Sequence, residues 1–138
     1  MDLISRLFLR SGLLCLLFGL GLALAPPSIA AHSHWLAASW PVQLHLLTVG
    51  WLTQLIFGVA WWLFPRASRT EPARNAAAMV LCFCLLQVGL LLRVVFEPLR
   101  GSGDSPWLIS ALLWSSAAFQ FFAAVLFVIA IWPRIRER

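Results

Sequence analysis

The sequence predicts an all-α membrane protein: an antiparallel bundle of four transmembrane helices with both termini cytoplasmic. Three observations predict it. Apolar residues make up 62% of the 138 residues and charged residues only 11%, which leaves too few charges to cover a soluble globule of this size. Four apolar stretches of about 20 residues recur, each long enough to cross a hydrocarbon layer of roughly 30 Å. The cationic side chains are all arginine, and they gather at alternate ends of those stretches, as short cytoplasmic loops require.

The spans fall at about residues 7–25, 42–64, 76–96 and 107–132. The first follows Arg6 and Arg10 and stops at Pro26-Pro27. Its basic start, the apolar run and the small-residue site Ser28-Ile29-Ala30 also suit a secretory signal peptide. A retained helix is the expected reading because the run from Leu3 is long enough to span. The second span stops at Pro65, the third lies between Pro72 and Pro98, and the fourth ends at Pro133. No internal repeat or long linker divides the chain, so residues 1–138 form one transmembrane domain.

Arg6 and Arg10, then Arg66, Arg69 and Arg74, then Arg134, Arg136 and Arg138 all fall on one side. The opposite loops hold His32, His34, Arg100, Glu97 and Asp104. Trp61, Trp62 and Trp132 mark the inner boundary and Trp35, Trp40 and Trp107 the outer one, as aromatic belts do. The arginines are scattered rather than gathered in a stripe, which excludes a nucleic-acid surface. The expected partners are the lipid bilayer and a second copy or a larger membrane complex. The expected location is a multi-pass position in a cell membrane, the bacterial inner membrane. Cys15, Cys82 and Cys84 lie inside apolar spans and read as small packing residues.

Polar groups are costly in hydrocarbon, so they mark inward faces. Gln54, Gln87 and Gln120 lie near the middle of spans two, three and four, placed to hydrogen-bond across the core or to line a polar path. Small residues recur at steps of four: Cys15, Gly19 and Ala23, then Gly50 and Gly58 beside Gln54, then Ser116 and Ala124 beside Gln120. Such faces let helices approach closely. In span three Asn75, Cys82, Leu86, Gly89, Arg93 and Glu97 share one stripe at about 100° per residue. Arg93 on that stripe can pair with Glu97, reach the outer interface or receive an anionic group.

His45 and Arg93 each lie near the outer end of their span. A neutral imidazole can ligate haem iron and an arginine can neutralise a propionate, so the pair is a candidate haem site, with His45 the candidate metal ligand. The plainer reading is an interfacial histidine bonded to Gln43, Thr48 or a carbonyl. Helical counting sets Gly50, Gln54, Gly58 and Trp61 opposite His45, which shares its face with Thr48, Leu52, Ile56, Val59 and Leu63.

The run Gln43-Leu44-His45-Leu46-Leu47-Thr48-Val49-Gly50-Trp51, followed by Gly58 and Phe64-Pro65-Arg66, resembles a motif of short membrane proteins related to subunit I of haem-copper oxidases and nitric oxide reductases. In them a helix carries H-x-H-L-x-x-x-G-W, a glycine about eight residues on and a proline at the cytoplasmic end. The resemblance spans about 25 residues. It implies a four-helix fragment of the oxidase scaffold and, in liganded members, histidine-bound haem or copper and electron transfer. Gln43 stands where the first histidine would be, so bis-histidine ligation needs a second copy's His45 or a loop histidine, His32 or His34.

Two classes follow. One is a small haem-binding or electron-transfer protein with His45 as axial ligand and Arg93 near a propionate. The other is a structural or assembly subunit of a membrane complex that has kept the scaffold without metal. Catalytic activity of the chain on its own is not expected, since no nucleophile or acid–base pair is present. A transporter fits less well, lacking an inverted repeat or a broken helix.

Overall fold

The computed structural model describes residues 2–24, 26, 28, 33–64, 73–100 and 106–136. Among them helices are the sole regular secondary structure, joined by turns and without a strand. Helix α1 covers Leu3–Ala23 and a short α2 covers His34–Ala37. Span two is composite, with α3 over Trp40–His45, a π-helical segment over Leu46–Thr53 and α4 over Gln54–Leu63. Helices α5 (Ala73–Phe96) and α6 (Pro106–Arg136) complete the set. Four segments are long and apolar enough to cross a membrane: Leu3–Ala23, Trp40–Leu63, Asn75–Phe96 and Pro106–Ile135. The protein is a multi-pass membrane protein.

Local chemistry explains several boundaries. Ser33 caps α2, its hydroxyl accepting from the Leu36 N–H at 3.4 Å. Pro41 occupies the first turn of α3, where its missing N–H has no partner to lose. Span two ends as Phe64 turns to extended backbone, the conformation a following proline imposes. Pro133, expected to end span four, lies inside α6, which runs on to Arg136. A proline near a helix end forfeits one hydrogen bond there without preventing another turn.

Helix α1 packs along span two, and α5 along α6. Backbone proximity is possible because small residues face the seams. A Cβ on Gly50 would stand 2.8 Å from Cys15 Cβ, and one on Gly58 would stand 2.9 Å from Phe8 Cβ. Across the α5–α6 seam, Ser116 Oγ donates to the Gly89 carbonyl at 2.6 Å and Cys82 Sγ to the Ala123 carbonyl at 3.1 Å. Ala23 and Ala124 lie on exposed faces instead, because a step of four drifts by about 40° per repeat on an α-helix. One phenylalanine from each span meets in the interior: Phe8 packs edge-on to Phe57 and Phe83, and Phe57 stacks on Phe127 with centroids 3.8 Å apart.

The π-helical segment corrects the regular 100° count through span two. Val42, Leu46, Gly50 and Gln54 are all buried, although an unbroken α-helix would rotate this column away from the seam. The wider π turn offsets that rotation and keeps one column against α1 and α5.

Candidate functional site

Three polar groups stand out among the described residues of the bundle. In its interior Gln54 is fully buried. Its Nε2 donates to Gln87 Oε1 at 3.2 Å, and its Oε1 accepts from the Ser11 hydroxyl. Spans one, two and three are thereby joined by one hydrogen-bonded chain. Gln120 does not enter it; its Nε2 donates to Ser116 Oγ at 3.3 Å, one turn back on its own helix. The shared depth of the glutamines therefore joins Gln54 and Gln87 but leaves Gln120 serving the α5–α6 seam. Ser11 is the member that sequence reasoning missed. The available signal was a hydroxyl in span one, on the same helix as Cys15 and Gly19.

The second group closes one end of the bundle. Arg93 Nη1 donates to Glu97 Oε1 at 3.1 Å, and Glu97 Oε2 lies 3.3 Å from His45 Nδ1. Exposure of the three side chains is 18%, 10% and 27% for Arg93, Glu97 and His45, so they are largely withdrawn from their surroundings. His45 Nδ1 is also 2.9 Å from the Pro41 carbonyl. A neutral imidazole has one N–H to give, and Pro41 receives it. Glu97 Oε2 is then an electrostatic neighbour and remains without a hydrogen bond. The structure brings His45 and Arg93 together through Glu97, the residue that spans the gap between them.

The fit to haem can be tested on this geometry. His45 Nδ1–H bonded to a carbonyl is the arrangement that leaves Nε2 available as a metal ligand. A cavity of about 490 Å³ lies between α1 and α5, walled by Leu46, Leu90, Leu91 and Gln87 among others, and a smaller one of about 200 Å³ is walled by Arg93. His45 lines neither. The face it shares with Thr48, Leu52, Ile56, Val59 and Leu63 is exposed apart from His45 itself, which turns it toward lipid or a second copy. Neither cavity lies against His45 among the described residues of one copy. Among the described residues no three His, Cys, Asp or Glu side chains converge as a metal site. His34 is exposed on α2, and His32 lies outside the described residues.

At the opposite end Arg134, read from sequence as a topological charge, is nearly fully buried. Its Nη1 donates to the carbonyls of Trp61 at 3.0 Å and Phe64 at 3.2 Å, and its guanidinium lies 3.3 Å from the centroid of the Trp61 ring. It satisfies carbonyls that the end of α4 leaves open. The run of arginines after a proline gave no sign of it. The chain matches no protein-family model, no curated protein and no solved structure.

Proposed function

We propose that this chain is a small multi-pass membrane subunit with a scaffold like that of haem-copper oxidase subunit I, working through assembly with other membrane components rather than through bound metal or catalysis of its own. In this reading the bundle is antiparallel, with both termini cytoplasmic in a bacterial inner membrane. The observation that carries it is the His45–Glu97–Arg93 cluster. It joins span two to span three through Glu97, Arg93 and His45 Nδ1, and His45 borders neither of the two cavities. Gln43 in place of a second histidine agrees with a scaffold that has given up its metal.

The test is the visible absorption spectrum of the full chain purified from haem-replete cells, with its migration in native gels of the solubilised membrane. A colourless protein migrating in an assembly larger than its own homo-oligomer is the expected outcome. A second reading has its own support, the uncommitted Nε2 of His45 on an outward face. Haem would then lie between the His45 residues of two copies. A Soret band that vanishes in His45→Ala, carried by a dimer, would establish that reading and remove the first.

A further inference from the structure

Arg93 holds Glu97 through Nη1 alone. Its Nε is buried without a hydrogen-bond partner, and no described residue accepts from Nη2. Nε is sealed by the surrounding atoms, so Nη2 is the nitrogen of Arg93 left with N–H groups to give. A guanidinium N–H makes a charge-assisted hydrogen bond to an oxyanion.

Beside Arg93 lies the cavity of about 200 Å³, lined by Arg93, Arg100, Ser110, Leu113, Trp114 and Ala117. Two cations and a hydroxyl share it with three apolar side chains, the lining that suits an amphiphile with an oxyanion head. The charge balance points the same way. Among the described residues Glu97 is the one carboxylate in the cluster, already shared by Arg93 and His45, and Arg100 has no ion-pair partner. The volume is below the roughly 300–1,000 Å³ of sites that engulf a whole drug-sized ligand, so a headgroup fits and the remainder stays outside. Trp114 is exposed on a helix of membrane-spanning length, which offers that remainder an apolar surface.

We propose that this cavity binds the headgroup phosphate of an anionic phospholipid. Its oxygens take Nη2 of Arg93 and the Arg100 guanidinium, Ser110 donates its hydroxyl, and the acyl chains leave along Leu113, Trp114 and Ala117. The site does not depend on whether His45 carries a metal.

Native mass spectrometry of the full chain in neutral detergent, titrated with dioctanoyl phosphatidylglycerol, tests it. One lipid per chain is expected. Arg100→Gln, an exposed position outside the helices, should weaken binding about tenfold, the loss of one charge-assisted contact. Ala117→Trp, which fills the cavity, should abolish binding without changing helix content by circular dichroism. Dioctanoyl phosphatidylcholine, whose cationic choline faces two arginines, should bind far more weakly. Equal binding of the two lipids, or undiminished binding to Arg100→Gln, would overturn the proposal. Displacement of the lipid by millimolar inorganic phosphate would overturn it too, in favour of a free oxyanion.

Discussion

Gln54 accepts from Ser11 and donates to Gln87 while fully buried, so its amide is satisfied in an environment without water to replace either bond. Gln54→Met keeps the length of the side chain but strands the Gln87 carbonyl oxygen and leaves the Ser11 hydroxyl to the Leu7 carbonyl of its own helix. Interhelical hydrogen bonds in membranes contribute about 1 kcal/mol each, so a loss of about 1–2 kcal/mol is expected, read as a lower midpoint in denaturant titration of the solubilised protein. Glu97 invites a different experiment because it serves two partners. Glu97→Gln removes the charge that faces Arg93 and His45, and the cost should be about 1–2 kcal/mol given the partial exposure of the cluster. Arg93→Gln in the same background should cost much less than it does alone. Additive losses in that double-mutant cycle would mean the two side chains do not act as a pair.

Among the elements, span two decides how the interior is arranged. The apolar run and the prolines foretold four membrane-length helices, and Gly50, Gln54 and Gly58 were legible as a packing column from their spacing. The π-helical segment was not legible, because nothing in Leu46–Thr53 marks an extra residue per turn; tertiary packing selects it by holding Val42, Leu46, Gly50 and Gln54 on one side. The pairing of Arg93 with Glu97 was readable from an i, i+4 spacing, whereas the meeting of His45 with Glu97 needed the relative height of two helices. Deleting Val49 should relax the π turn to an α turn and leave His45 and Gln54 in nearly the same phase, since eight α steps turn about as far as nine steps through the wider helix. The expected result is a retained monodisperse peak in size-exclusion chromatography, and its loss would mean that the π turn itself is needed at the seam. Gly50→Val tests the same seam more gently: its side chain would collide with Cys15 and Leu90, and overpacking of this kind costs about 1–3 kcal/mol.

At the scale of the whole molecule, unlike polar devices close the two ends of the bundle, and the aromatic cluster of Phe8, Phe57, Phe83 and Phe127 lies within it. Helix α1 packs on span two and α5 on α6, so the union of these pairs rests on few groups. Arg134 is one of them, reaching from α6 to two carbonyls and an aromatic face of span two. Charged donors to carbonyls contribute about 1.5–3 kcal/mol, and a desolvated cation–π contact adds about 1–2 kcal/mol. Arg134→Ala should therefore destabilise the bundle by about 2–4 kcal/mol. Arg134→Lys should recover only part of that, because an ammonium lacks the planar fork that serves both carbonyls and the ring. The measurement is thermal unfolding of both variants in one detergent, with cysteine cross-linking between α4 and α6 as the structural readout. A loss of cross-linking in Arg134→Ala, with α1 still protected against span two, is the outcome that a joint between helix pairs predicts. Equal loss at every seam would mean instead that Arg134 supports the bundle as a whole.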